Sequence, residues 1–208
     1  MVRLKGPGLA ESAAGGLGKT LIFAESKGRA YVKHWAKPKN PQSQKQNPGR
    51  AITAYLTKRW GTMGTGYKAT WNALAAQTNI PAYNAFMSYN IERFTRFHMP
   101  TVQYPATETG SGGSIKNKTT TVNGHRVTLT WEPNVISDNW GYIIYHKLGS
   151  APTSTWIYTV ALIAGGSLGV KTYVAERLPS GTHYWRLDSF STTGALTGIA
   201  ESFIAVVA

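Results

Sequence analysis

Cysteine is absent from the 208 residues, which rules out a disulfide framework and any thiolate metal site. No stretch approaches the roughly 18 apolar residues of a membrane span, so none is expected. The opening Met-Val-Arg-Leu-Lys-Gly-Pro-Gly has two charges and no apolar run behind them, so a secretory signal is not expected either. Acidic residues are scarce in the first half. None lies between Glu25 and Glu92, where ten lysines and arginines do, and residues 1–100 contain no aspartate.

What is present is therefore lopsided. Residues 1–100 hold fifteen lysines and arginines against three acids, a balance of +12, while residues 101–208 are at +1. A basic half should attract something anionic: nucleic acid, an acidic protein neighbour or a polyanionic surface. The near-neutral half is free to be an ordinary folded module. A hydrophobic fraction of 42% with 12% aromatics is too apolar for a disordered chain.

Residues 1–18 are Gly/Ala-rich without periodicity, which predicts a flexible or extended arm. Thr20–Ala24 and Arg29–Lys33 are β-prone runs around a turn containing Gly28, the pattern of a hairpin. Three helices follow. Asn47-Pro48 opens one with Ile52, Tyr55, Leu56 and Trp60 at helical spacing. Thr65 caps a second with Tyr67, Trp71 and Leu74 on one face, and a third starts near Pro81 with Tyr83, Phe86, Ile91 and Phe94. The Gly/Ser/Thr-rich stretch 105–121 is the expected linker. Beyond it the pattern turns to period two: Val127, Leu129 and Trp131 alternate with polar residues. Further short runs at Tyr142–Tyr145, Trp156–Val160, Thr172–Val174, His183–Leu187 and Ser202–Val207 indicate a β-sandwich.

His125–Trp131, Gly141–Tyr145, Leu178–Tyr184 with Trp185–Asp188, and Glu201–Val207 together resemble a fibronectin type III domain over residues 122–208. The resemblance implies an inward Trp131, and makes Tyr184 the corner tyrosine whose hydroxyl bonds back to nearby backbone. It departs from the family in lacking a proline-rich first strand. Residues 15–97 are loosely similar to segments of uncharacterised bacterial and phage proteins, through Gly28–Lys33, Lys39–Gln44, Trp71-Asn72 and Tyr83–Phe86. The two resemblances, joined to the absent signal, point to a structural protein of a phage-like particle. The fold alone assigns no function.

Ala13–Thr20 matches a relaxed phosphate-loop pattern. It lacks the preceding strand, the following helix and an acid to hold Mg²⁺, so it is taken as part of the glycine-rich arm. The five histidines are scattered at spacings that bring no two onto one face, and they are expected to be strand and surface residues. His183 and Asp188 stand at odd separation on one strand and face opposite sides. No Gly-x-Ser-x-Gly elbow occurs. Catalysis, cofactor and metal are therefore not expected. The basic series offers Lys27, Arg29, Lys33, Lys37, Lys39, Arg50, Lys58 and Arg59 as contacts to a partner or polyanion, with Tyr31 and Trp35 beside them. The aromatics of the helical region outnumber what the few strands there could enclose, which leaves some for a neighbouring subunit.

The expected fold class is α+β in two domains: a basic hairpin-plus-helices module (19–104) after the arm, then the linker and an all-β fibronectin type III-like sandwich (122–208). The expected function is a virion structural or decoration subunit, made in a cytoplasm and found on a particle. Its partners are other assembly proteins, copies of itself included, with no membrane span. Alternatives are a nucleic-acid-binding protein and a surface adhesin.

Overall fold

The computed structural model describes residues 3–5, 12–17, 20–26, 29–36, 43, 45–110, 113–134, 139–153, 155–196 and 201–208. It is a mixed α+β chain, rich in sheet towards the C-terminus, and it divides into two compact units, Met1–Pro41 and Gln42–Ala208.

The first unit is a four-stranded antiparallel sheet in the order β1 (Arg3–Lys5), β2 (Ser12–Leu17), β3 (Leu21–Ser26), β4 (Arg29–His34). The expected hairpin is β3–β4, paired from Leu21↔His34 to Ser26↔Arg29. The expected arm is corrected: parts of it are strands, with Gly15 opposite Phe23 and Gly16 opposite Ile22. A ladder needs backbone donors and acceptors rather than side chains, so an edge hairpin can recruit a glycine-rich segment that shows no apolar periodicity. Gly15 and Gly16 of the relaxed phosphate-loop pattern lie inside β2; Gly18 and Lys19 fall outside the described residues.

In the second unit three helices come first: α1 (Asn47–Thr62), α2 (Thr65–Thr78) and α3 (Ala82–Thr95). Proline opens α1, where a missing N–H costs nothing. Asn79, in the left-handed conformation, ends α2. Seven strands follow, β5 (Ile115–Asn123), β6 (Arg126–Pro133), β7 (Asn139–Leu148), β8 (Thr159–Ala164), β9 (Lys171–Ala175), β10 (Gly181–Ser191) and β11 (Glu201–Val207). They form a three-stranded sheet, β5-β6-β9, and a four-stranded sheet, β11-β10-β7-β8. The run expected as a strand at Trp156–Val160 is instead a 3₁₀ turn at Trp156–Tyr158 leading into β8.

Two cores lie back to back across the four-stranded sheet. Val127, Leu129 and Trp131 of the small sheet meet Tyr142, Ile144, Trp185, Leu187 and Phe203 between the sheets. On the other face, Ile143, Tyr145 and Phe190 pack with Ile52, Tyr55, Leu56, Trp71, Phe86 and Phe94 of the helices. This is why β7 is a continuous apolar run: its residues from Asn139 to Tyr145 are all buried, because both of its faces are covered. The helical aromatics therefore need no neighbouring subunit to enclose most of them. Trp71, Phe86 and Phe94 are fully buried, and only Tyr67 and Phe97 of the expected set are exposed.

The expected linker does not separate two bodies. Ile115–Asn123 of that stretch is strand β5. The segment before it is strapped to the end of β10: Val102 N–H donates to the Thr192 carbonyl, Glu108 N–H to Thr193, and the Ser191 hydroxyl to Thr109. Composition marked 105–121 as loop-like, but the buried faces of the helices and sheet are complementary and fuse residues 42–208 into one unit.

Candidate docking surface and titratable clusters

The N-terminal sheet ends in β4, an edge strand. Tyr31 and Lys33 alternate with Val32 and His34, yet residues 31–36 are all exposed, so both faces of the strand's second half are open. Trp35 extends the pairing through its N–H to the Thr20 carbonyl at 2.8 Å and is itself exposed. Large aromatics beside a lysine on an open edge are the composition of a contact surface, because they supply area while the ammonium supplies sign. Arg29 sits in the same strand opposite Ser26. Lys27, Lys37 and Lys39 lie outside the described residues.

The three cations expected on the first helix part company. Arg50 and Lys58 are exposed. Arg59 is turned onto its own chain instead: its guanidinium donates to the Trp140 carbonyl at 2.8 Å and stands 5.4 Å from the Trp140 ring centre and 5.8 Å from that of Tyr55. The Tyr55 hydroxyl donates to the same carbonyl at 2.8 Å. Burial raises the phenol's pKa, against the opposing pull of Arg59, so Tyr55 stays a donor at any working pH. These residues fasten α1 to the sheet, a role that a count of positive charges could not separate from polyanion binding.

The corner position holds a correction. Tyr184 is only half-buried and is not part of the inter-sheet core. His183 takes the seat: it is fully buried, and its Nε2 lies 2.8 Å from the Pro179 carbonyl four residues upstream. The strand parity decides this, since His183, Trp185 and Leu187 point inward together. A carbonyl only accepts, so His183 Nε2 carries a proton. His146 Nε2 lies 2.9 Å from His183 Nδ1, within hydrogen-bond distance. The two rings are near-parallel, and both stack with Trp185, His146 at 4.9 Å and His183 at 5.6 Å. Two histidines 37 residues apart thus share one face after all. No sequence spacing revealed it, because strands β7 and β10 bring them together only through their pairing.

Burial first, and the neighbouring His183 second, push the His146 pKa down from the ordinary 6.5 to about 4. The sign follows from proton counting. Between those values the unfolded chain binds more protons than the folded one, so stability falls as pH drops through 6.5 and levels off below about 4. His146 is part-exposed, which discounts the full value of the shift and leaves about 1–3 kcal/mol. Urea midpoints at pH 7 and pH 4.5 measure it. His146→Gln, which keeps a hydrogen-bond partner for His183 but cannot titrate, is expected to flatten the difference; an unchanged pH slope would rule the assignment out.

Asp188 points the other way from His183, as the odd spacing requires, and its carboxylate takes the Arg186 Nε at 3.1 Å. A third cluster joins Arg93, Glu108 and His98, with Glu108 Oε1 at 2.8 Å from Arg93 and 2.9 Å from His98. Hydrogen bonding from Arg93 holds the Glu108 carboxyl below its ordinary range. Arg93 also donates to the Met99 carbonyl, so the cluster closes the loop after α3. Among the described residues no three histidines, aspartates or glutamates converge as a metal site. None of the described helices is long and apolar enough to cross a membrane.

No family model matches the chain, and no curated protein matches it. Among solved structures, the spore cortex lytic enzyme SleM of Clostridium perfringens matches with a TM-score of 0.35 and 13% identity over 45% of this chain and 28% of that one. AA10A of T. fusca matches with a TM-score of 0.29 and 15% identity, over 45% of this chain and 53% of that one. The matched parts thus span about a quarter and about half of those two structures.

Proposed function

We propose that this protein is a non-enzymatic structural subunit of a phage-like particle, docked by its basic N-terminal sheet and displaying a fibronectin type III-like sandwich. The observation that carries the reading is the open β4 edge, where Tyr31, Lys33 and Trp35 are all exposed in the half of the chain with a charge balance of +12. An edge strand exposed on both faces is a hazard for a lone protein and an asset for one that docks. Charge steers the encounter with an acidic lattice, and the aromatics supply the contact area. The sheet orders β5-β6-β9 and β11-β10-β7-β8, with Trp131 buried between them, support the type III reading of residues 122–208. Its outer sheet face differs from that of a free-standing module in being roofed by the helices.

The test is association with particles from the native source, followed by co-sedimentation and electron microscopy. Tyr31→Ala, Lys33→Glu and Trp35→Ala combined are expected to weaken association at least about tenfold without moving the main thermal transition. A polypeptide that sediments as a lone monomer and ignores every particle component sinks the proposal. A second reading, binding to single-stranded nucleic acid, is favoured by the same two exposed rings beside Lys33, since bases stack on aromatics. A mobility shift separates the two. Binding that persists at physiological salt with a steep salt slope belongs to nucleic acid, and binding lost there belongs to assembly.

A further inference from the structure

The four-stranded sheet ends at β8, whose outer edge pairs with no described strand. Its sequence, Thr-Val-Ala-Leu-Ile-Ala, has none of the usual protections of an edge: no charge and no proline. Leu162 packs towards the helices while Val160, Ala161 and Ile163 pack between the sheets, so both faces are engaged. Even so, residues 160–164 are all part-exposed. A recess of about 410 Å³ lies along it, lined by those five consecutive residues and by α1. Side chains alternate along a strand, so an unbroken run lining one recess presents its edge, not a face. On the helix side the wall is built from Ala51, Ala54 and Lys58, at i, i+3 and i+7. The two alanines leave the space beside the strand unfilled.

A second recess of about 450 Å³, lined by Asn47 at the start of α1, meets the first at Val160. From Asn47 to Arg59 the helix rises about 18 Å, the length of five or six extended residues. The charged residues lining the two recesses are all of one sign: Lys58 and Arg59 on one and Lys147 on the other, with no acid on either.

We infer that the groove between α1 and β8 binds an extended acidic peptide, which adds a strand to the sheet and sets its carboxylates against Lys58 and Lys147. Main-chain pairing with β8 supplies affinity, and the cationic rim selects the sign. This inference is independent of the particle reading, because it uses a different edge of a different unit.

The probe is a synthetic peptide of three Glu-Val repeats, blocked at both ends, added to the full chain. Hydrogen exchange of alternate β8 amides is expected to slow at least about tenfold, with a Lys-Val peptide of the same length inactive. Ala54→Trp, which fills the groove from an exposed position, is expected to abolish the effect. Lys58→Glu is expected to weaken binding about tenfold, and both variants should unfold at the wild-type temperature. Equal binding of the Glu-Val and Lys-Val peptides, or binding indifferent to Ala54→Trp, overturns the inference. So does slowing of the same amides on concentrating the protein alone, which would make the occupant a second copy. None of these results bears on the β4 edge, so failure here and failure of the particle reading are read separately.

Discussion

Trp71→Ala lowers the unfolding free energy by about 3–5 kcal/mol, the cost of deleting a fully buried large aromatic. Trp71 has no exposed surface and touches three rings: Phe86 at 5.1 Å, Tyr89 at 5.6 Å and Tyr104 at 5.8 Å. Its indole N–H also donates to the Val102 carbonyl at 3.0 Å, so truncation leaves a buried acceptor unpaired as well as a cavity. The ring joins α2, α3 and the strap after α3, and no other fully buried side chain of α2 could replace it. Trp71→Phe keeps most of the volume and loses the hydrogen bond, so a smaller loss of about 1–2 kcal/mol is expected. Urea denaturation followed by far-ultraviolet circular dichroism gives both numbers. A loss below about 1 kcal/mol for the alanine variant would show that the helical layer is not anchored there.

Gly141→Ala is expected to cost at least about 1–3 kcal/mol by overpacking, although it adds a single methyl group. A β-carbon at that position would stand 2.6 Å from the Phe190 ring, 2.6 Å from the Tyr55 hydroxyl and 3.0 Å from the Ile163 carbonyl. One of these neighbours is backbone and another is Tyr55, which is tied to the Trp140 carbonyl. The added methyl therefore pushes α1 off the sheet and weakens the bonds of Tyr55 and Arg59 to that carbonyl. Gly61→Ala is the control on the same helix. Nothing lies within 4 Å of its built β-carbon, so helix propensity alone acts and stability should rise by about 0.5–1 kcal/mol. Thermal melts of the two variants should move in opposite directions. A Gly141→Ala protein as stable as wild type would mean that α1 does not sit on the sheet as described.

Gly141→Ala probes the contact that sequence reasoning overlooked. Ile52, Tyr55 and Leu56 recur at helical spacing, which fixes that α1 has an apolar face. Periodicity says nothing of what covers such a face, and the loop-like composition of 105–121 suggested a separate neighbour. The clue was in β7: its apolar residues run without alternation, which requires cover on both faces of the sheet. Arg59 is the cost of the same oversight. Its charge was legible, but its partner is a carbonyl 81 residues away. At the corner, motif spacing favoured Tyr184 and strand parity favoured His183. Parity prevails because an inward seat on a sheet is set by alternation, one residue to the side of the motif's tyrosine.

What the amino-acid order settled unaided is the partition of charge, the hairpin of β3 and β4, the three helix starts and most of the sandwich strands. Each of these follows from neighbours along the chain: sums of charge, capping residues, and alternation of apolar with polar side chains. Tertiary structure alone decided that the helices roof the outer face of the sheet, that His146 meets His183, that β2 is a strand, and that β8 is left with an open edge. Those outcomes depend on which surfaces come together across dozens of residues, and a local pattern names a surface without naming its partner.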